Sequence, residues 1–574
     1  MSSSTPCNIA ASLSRAAREH PGRIAMRCPG RNGRYEVTLT YAQLDARSDA
    51  IAAGLGTHGI VRGTRTVVMV RPTPEFFLLM FALFKAGAVP VLVDPGIDRR
   101  ALKQCLDEAR PEAFIGVPLA QVARTLLRWA KSARVRITTG AQAWLADATL
   151  EQVEVAGARD QHATFKPATF EAADTQPDDI AAILFTSGST GVPKGVVYRH
   201  RHFVAQVAML GDAFGIEPGG VDLPTFPPFA LFDPALGLTS IIPDMDPTRP
   251  ANADPRRLLQ AIERFGVTQL FGSPALVAVL ARHGAHLPTI KRVLSAGAPV
   301  PADVVTRMRE LLPDDAQLFT PYGATECLPV AVIEGRELQG TREATERGAG
   351  TCVGRPVAPN EVRIIRIDDD AIAEWNDALL VQPGHVGEIT VAGPSVTDSY
   401  FNRDAATRLA KIREPLPGNG ESMDSERIVH RMGDLGWFDV EGRLWFCGRK
   451  SQRVVVDGAT TLCTEQVEPV FNTHPEVRRT ALVGIGPRGA QRPVLCVELH
   501  KGIDKDQHER IAGELRHIAD GLVHTAKVDG FLFHPKFPVD IRHNAKIGRE
   551  KLASWAEQAL RELQRRNIQS RDVQ

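Results

Sequence analysis

Three absences narrow the reading of this chain before any motif is considered. No apolar run approaches the ~20 residues a membrane-spanning helix needs. The longest, residues 76–84, stops at Lys85 and reads as a core helix ended near Gly87, with a strand at 89–93 before the turn Asp94-Pro95-Gly96. Charge of one sign is not in excess: 68 Lys plus Arg face 67 Asp plus Glu, for a formal net charge of +1. No global field therefore points to nucleic acid or to an acidic membrane surface. Paired cysteines are missing as well. The eight cysteines (Cys7, Cys28, Cys105, Cys327, Cys352, Cys447, Cys463 and Cys496) are scattered without a Cys-x-x-Cys pair, which argues against a zinc site and a disulfide framework. Met1 to Asn8 is Ser/Thr-rich and has no basic segment followed by an apolar core, so no signal peptide is expected and a reducing, cytoplasmic setting is. No fixed-period repeat is visible.

What is present is an ordinary globular composition spread over 574 residues, too many for one core, so two or more domains are expected. Strand-like apolar runs alternate with amphipathic helical patterns through the first 440 residues or so, which predicts an α/β architecture of layered sheets and helices. One instance is the short strand Arg292-Val293-Leu294, followed by Val304, Val305, Met308, Leu311 and Leu312 spaced along one helical face. Residues 341–350 and 414–425, rich in charge, Gly and Pro, read as loops. A hairpin-like segment at 436–446 closes the large region. After Gly448-Arg449-Lys450-Ser451 the pattern restarts, with strands near 453–456, 480–483 and 494–499 and helices from about 464, around 507–523 and after Gly548. The expected division is 1–448 and 449–574.

Residues 185–195 read Phe-Thr-Ser-Gly-Ser-Thr-Gly-Val-Pro-Lys-Gly and follow the apolar run 180–184, which looks like a buried strand. Gly188, Gly191 and Gly195 free the backbone to turn its amides toward an anion. Thr186, Ser187, Ser189 and Thr190 add hydroxyl donors, and Lys194 adds a point charge. Such a loop suits polyphosphate better than it suits a linker, because it is short and sits between two apolar stretches. It is not a Walker A loop, since Pro193 precedes Lys194 and Gly195 follows it. The order Thr-Ser-Gly-Ser-Thr-Gly-x-Pro-Lys-Gly resembles the phosphate loop of the adenylate-forming superfamily, which includes acyl-CoA synthetases, peptide-synthetase adenylation domains and luciferases.

Four further segments match that family in order. Pro321-Tyr322-Gly323-Ala324-Thr325-Glu326 resembles its Tyr-Gly-x-Thr-Glu segment: an aromatic ring can stack on adenine, Thr325 can bond phosphate, and Glu326 offers a hard oxygen to Mg²⁺. Just upstream, Ser295-Ala296-Gly297-Ala298-Pro299 resembles the small-residue segment along which adenine lies. In His430-Arg431-Met432-Gly433-Asp434-Leu435-Gly436 the resemblance assigns Asp434 to the ribose hydroxyls, and it places Arg449 on the ribose or phosphate. Arg542-His543-Asn544-Ala545-Lys546-Ile547-Gly548-Arg549 resembles the catalytic-lysine loop, with Ala545 where the family commonly has Gly. A mobile Lys546 reaching the α-phosphate would stabilise charge that grows in the transition state. The resemblance thus implies a large N-terminal adenylate-forming domain and a small mobile α+β C-terminal domain. It also implies ATP and Mg²⁺ as cofactors, and Lys546, Glu326 and Thr190 as the catalytic set. A protein that binds nucleotide without catalysis is disfavoured by the retention of Lys546, Glu326, Asp434 and the whole loop.

The second half-reaction is less constrained. Where acyl-CoA ligases carry an aromatic-His segment, this chain reads Phe226-Pro227-Pro228-Phe229-Ala230-Leu231-Phe232-Asp233-Pro234, with Ala230 at the His position, and Asp457-Gly458 stands where many ligases have Gly-Gly. The same stretch, continuing Ile241-Ile242-Pro243-Asp244-Met245-Asp246-Pro247-Thr248-Arg249-Pro250, resembles the β-lactone synthetases of bacterial long-chain olefin biosynthesis. That resemblance implies a 2-alkyl-3-hydroxy fatty acid substrate, whose own hydroxyl closes a four-membered lactone after adenylation. An internal nucleophile brings high effective molarity, against ring strain. It also implies companion enzymes that make the substrate and decarboxylate the product, and leaves a complex with them open. Phe226, Phe229, Leu231 and Phe232 would line the acyl pocket. A fatty acyl-CoA ligase is the alternative.

Overall fold

The computed structural model describes residues 7–30, 32–94, 96–163, 170–186, 193–416, 426–458, 460–539 and 547–571. Among them the strands assemble into sheets of fourteen, seven, three and two strands.

The seven-stranded sheet grows from the apolar runs of the first 200 residues. Helix Pro74–Lys85 buries every residue from Phe76 to Lys85, as a helix apolar on all sides must. The charge of Lys85 is met by Asp45 Oδ1 at 2.6 Å and Asp49 Oδ1 at 2.5 Å. Gly87 then turns the chain at φ +66° into strand Val89–Val93, which lies parallel between Arg65–Met69 and Ile180–Thr186. Ile180–Thr186 in turn pairs antiparallel with Lys194–Arg199 at one edge of the sheet.

In the fourteen-stranded sheet, Val221–Pro224, Gln269–Gly272, Arg292–Ser295 and Gln317–Ala324 run parallel. Helices Pro255–Phe265, Pro274–His283 and Ala302–Leu311 make the crossovers between them. Their apolar faces (Leu258, Ile262, Leu276, Leu280, Val305, Met308) share one core with strand residues Leu223, Leu270, Val293 and Leu318. The C-terminal ends of these strands therefore lie along one edge, where parallel sheets place their ligands. Beyond Gln317–Ala324 the sheet turns antiparallel, through Cys327–Glu334 and Thr351–Pro356 to Leu444–Arg449, Glu426–Phe438 and Gly387–Ala392.

One expected loop is helical. Residues 341–350 contain helix Arg342–Glu346, directly after helix Gly335–Gly340. Their polar sequence has no apolar face to reveal a helix. Arg342 pairs with Glu346 at 2.7 Å and Arg347 with Glu343 at 2.8 Å, the i,i+4 spacing that supports an exposed turn. Of the other expected loop, residues 414 and 415 end strand Lys411–Pro415, and 417–425 lie outside the described residues.

After Arg449, a 3-10 turn Lys450–Gln452 leads to the short pair Val454–Val455 and Thr461–Leu462. Next comes the sheet Val477–Ile485, Arg492–Leu499 and Gly530–Phe533, flanked by helices Thr464–Phe471, His508–Asp520 and Arg549–Arg571. Val467, Phe471, Leu482, Leu495, Ile511 and Leu515 form its core. Cys463 packs with Leu435 and Cys447 of the large sheet, and Thr351 Oγ1 donates to Glu465 Oε2 at 2.9 Å.

Candidate active site

Strand Gln317–Ala324 delivers Tyr322 and Gly323 to the ligand-binding edge. The turn into Cys327–Glu334 is tight: a Cβ on Gly323 would sit 3.1 Å from the Cys327 carbonyl oxygen. Tyr322 donates its hydroxyl to Asp434 Oδ2 at 2.6 Å. Asp434 lies in Glu426–Phe438, in register with Arg449 of the neighbouring strand, and Arg449 Nη1 stands 2.7 Å from Asp434 Oδ1. Burial pushes the Asp434 carboxyl up, while the Arg449 charge and the Tyr322 hydroxyl oppose the shift. Burial also raises the Tyr322 hydroxyl well above its ordinary value, helped by the Asp434 charge, so it stays a proton donor. An acceptor buried between a phenol and a guanidinium is suited to hold a diol.

Glu326 is held from a different direction. Tyr400 donates its hydroxyl to Glu326 Oε1 at 2.6 Å, and burial raises that hydroxyl too. Thr397 donates both its backbone N–H and its Oγ1 to the Glu326 carbonyl oxygen, each at 2.9 Å. The Thr397 carbonyl in turn accepts from Lys411 Nζ. Lys411 is buried, and desolvation lowers it to about 8 against the opposing charges of Glu326 and Asp398. Residues 397–401 thus form a strap, and the strap is fixed at its other side to the strand that follows the Gly/Ser/Thr segment. Val197 N–H donates to Ser399 O at 3.1 Å and Phe401 N–H to Gly195 O at 2.7 Å. Lys194 Nζ lies 4.9 Å from the Tyr400 ring centroid, a cation–π distance.

The two large sheets meet at this point, because Tyr198 donates its hydroxyl to the Thr325 carbonyl at 2.5 Å and accepts from Gln206. Lys194, Tyr322, Thr325, Glu326, Asp434 and Arg449 are thereby brought into one continuous set. The half-buried Glu326 carboxylate beside a lysine has the donor chemistry for a hard divalent cation carried with phosphate. Thr186 and Lys194 pair in register as the two ends of a hairpin. Ser187, Gly188, Ser189, Thr190 and Gly191 between them, and Lys546, lie outside the described residues. Gly297 takes φ +98° at the end of strand Arg292–Ser295, exposed with Pro299 and next to the half-buried Ala298. It lies on the same sheet edge, with no direct bond to the set above.

The residues expected to line an acyl pocket follow strand Val221–Pro224, at Phe226, in the 3-10 turn Pro227–Leu231 and at Phe232 before the short helix Asp233–Leu236. Ring centroids of Phe226 and Phe229 are 5.5 Å apart, and those of Phe229 and Phe232 are 6.0 Å apart. Two aromatics that sequence reasoning passed over complete the row. Phe271 stacks on Phe229 at 4.2 Å, and Phe203 lies 6.2 Å from Phe232 and stacks on Tyr198 at 4.6 Å. Phe271 is the one aromatic of its short strand and Phe203 shares an amphipathic helix with Phe214, so in sequence each is indistinguishable from core. An aromatic path therefore runs from the exposed Phe226 to Tyr198, which touches Thr325. Leu231 instead packs with the buried Ala230 on the neighbouring core.

Residues 13–401 match the family of AMP-binding enzymes. The chain is 67% identical over 560 residues to a protein of Xanthomonas campestris pv. campestris named olefin beta-lactone synthetase, covering 96% of this chain and 98% of that one. A protein of the same name from Stenotrophomonas maltophilia is likewise 67% identical, with the same coverage of each chain. Among solved structures, O-succinylbenzoate coenzyme A synthetase from Bacillus subtilis, in complex with ATP and magnesium ion, shares the fold. Its TM-score is 0.68 at 22% identity, over 94% of this chain and 98% of that one.

Proposed function

The chain belongs to the family of AMP-binding enzymes, and from that premise we propose that it is an ATP-dependent β-lactone synthetase acting on a 2-alkyl-3-hydroxy fatty acid. The observation that carries the substrate class is the 67% identity, over nearly the whole of both chains, to two proteins named olefin beta-lactone synthetase. The row of phenylalanines leading to Thr325 and the absence of a ligase-type His at Ala230 support it.

In this reading a substrate carboxylate oxygen attacks the α-phosphorus of ATP, the bond to pyrophosphate breaks, and pyrophosphate leaves. Asp434 and Arg449 hold the ribose, Tyr322 and the 295–299 segment face adenine, and Lys194 with the 186–191 hydroxyls and amides holds the departing phosphates. Mg²⁺ at Glu326 would supply Lewis-acid withdrawal of charge from the phosphate oxygens. Lys546 brings positive charge to the α-phosphate as it becomes more negative. The 3-hydroxyl oxygen then attacks the acyl carbon, the acyl–phosphate bond breaks, and AMP leaves with the hydroxyl proton. The Phe226, Phe229 and Phe232 row would hold the alkyl chains folded so that hydroxyl and acyl carbon stay adjacent. Residues 449–574 act as the domain that delivers Lys546.

The test is incubation of purified protein with Mg·ATP and a synthetic 2-alkyl-3-hydroxy fatty acid, with and without CoA, read by mass spectrometry and NMR. A β-lactone with AMP in the absence of CoA is expected. A thioester made only with CoA, and no lactone, would overturn the reading in favour of a ligase.

A further inference from the structure

Local charge departs sharply from the balance of the whole chain between residues 113 and 146. This stretch contains no Asp or Glu and five basic residues, Arg124, Arg128, Lys131, Arg134 and Arg136. The same stretch holds five of the large apolar side chains left in solvent: Leu119 is 72% exposed, Leu126 75% and Trp144 72%, with Leu127 and Leu145 also exposed. Leu119 and Leu126 are seven residues apart in helix Pro118–Leu127, two turns along one line. The opposite face is fixed to the sheet, where buried Gln121 donates Nε2 to the Ile137 carbonyl at 2.9 Å.

The turn that carries Trp144 and Leu145 begins beside the first turn of this helix. Thr139 N–H donates to Gly116 O at 3.2 Å, and a Cβ on Gly140 would come within 2.5 Å of the Pro118 ring. The surface lies toward the Val135–Thr138 and Ala148–Thr149 edge of the seven-stranded sheet, the edge opposite the Lys194–Arg199 hairpin. It is therefore no part of the site described above. Arg136 is tied to Asp147 at 2.5 Å. The exposed Arg128, Lys131 and Arg134 enter none of the ion pairs among the described residues. Large apolar side chains left in solvent on two adjoining segments mark a candidate interaction site.

We infer that helix Pro118–Leu127 and the Trp144-Leu145 turn form a docking surface for a bilayer containing anionic lipid. Leucines on one line of a helix and a tryptophan on the adjoining turn suit shallow insertion at the headgroup boundary. With Asp147 taken up by Arg136 and Glu112 by Arg65, the remaining charge of the stretch is positive, which suits lipid phosphates better than a protein partner of ordinary mixed charge. The inference stands on exposure and charge alone; a substrate with two alkyl chains would give the surface a purpose.

Sedimentation of the full-length protein with phosphatidylcholine vesicles, with and without phosphatidylglycerol, at low and high salt, tests it. Cosedimentation with the phosphatidylglycerol vesicles, release by salt, and a blue-shifted tryptophan emission lost in Trp144→Phe are expected. The double variant Leu119→Glu/Leu126→Glu should partition about tenfold less or weaker while keeping ATP–pyrophosphate exchange and Tm. Because Arg128→Gln/Lys131→Gln/Arg134→Gln alters only exposed side chains, it should remove the preference for anionic vesicles without touching the fold. Protein that stays in the supernatant with anionic vesicles at low salt, or variants that bind as wild type, would overturn the inference. So would a double variant whose only change is a smaller oligomer, since the surface would then be a contact between proteins.

Discussion

The Tyr400 hydroxyl and the Thr397 side chain hold Glu326 at both ends, carboxylate and carbonyl, so the orientation of the proposed metal ligand depends on residues that do not touch substrate. Tyr400→Phe should raise the Mg²⁺ concentration for half-maximal ATP–pyrophosphate exchange several-fold. The rate at saturating Mg²⁺ should stay near wild type, and stability should fall by about 1 kcal/mol. An unchanged Mg²⁺ curve, measured alongside binding of Mn·ATP by electron paramagnetic resonance, would remove the positioning role. Lys546→Ala should lower the same exchange by roughly 10²–10³-fold, the scale of losing one preorganised electrostatic contact at a transition state, with ATP binding retained. Exchange at the wild-type rate would exclude Lys546 from the chemistry. At this scale the hydroxyl-rich loop and Lys194 were legible from residue type and spacing, whereas Glu326 and Asp434 were singled out by the resemblance of their short motifs to a family. Tyr400, Thr397 and Lys411 were not, because a tyrosine or threonine in a strap, or a lysine opening a strand, has no local pattern that tells a partner from a surface residue.

Two elements carry charges whose burial makes further predictions. Strand Glu426–Phe438 places Arg431 against Glu388 of strand Gly387–Ala392 at 2.6 Å, both side chains 1% exposed, and Lys450 reaches the same carboxylate at 2.9 Å. Removing Arg431 leaves the buried Glu388 carboxylate with Lys450 as its remaining cation, so Arg431→Leu should cost about 3 kcal/mol by denaturant unfolding, the low end for breaking a buried pair. In helix His200–Phe214, His200 Nδ1 accepts from Ile9 N–H and His202 Nδ1 from Arg199 N–H. Both imidazoles therefore need their neutral form, and desolvation lowers His200 to about 4 and His202 to about 3. These folded values lie below the ordinary 6.5, so the unfolded chain takes up protons first. Stability is full above pH 6.5 and lost as pH falls toward 4 and then 3. Tm should drop across that window, and His202→Gln, which keeps an acceptor, should flatten the drop; a Tm profile unaffected by the substitution would contradict this account. Unbroken apolar runs bounded by a charge or a turn, such as residues 76–84 and 89–93, were read from sequence because deep burial leaves that signature. Helix Arg342–Glu346 was not, because surface ion pairs leave none.

For the whole molecule, the proposed division makes catalysis depend on residues far from the nucleotide loop. A chain truncated after Arg449 should lose ATP–pyrophosphate exchange down to background, because Lys546 goes with the deleted segment. It should also be less stable, because Leu435 and Cys447 lose Cys463 as a packing partner. Exchange that persists in the truncated chain would refute delivery of Lys546 by the C-terminal segment. What the sequence by itself determined is the alternation of strands and helices and, through the resemblance of short motifs in their order, the family and its class of chemistry. The alternation depends on periodicity within a few residues, the range over which local sterics and hydrogen bonding act, and each motif is likewise a stretch of a few residues. Only the tertiary structure decided that Tyr400 meets Glu326 across 74 positions, that Tyr322 meets Asp434 across 112, and that Tyr198 carries one sheet to the other across 127. Contacts between segments so distant along the chain arise when two sheets bury their faces and edges together, a global packing outcome that no local pattern encodes.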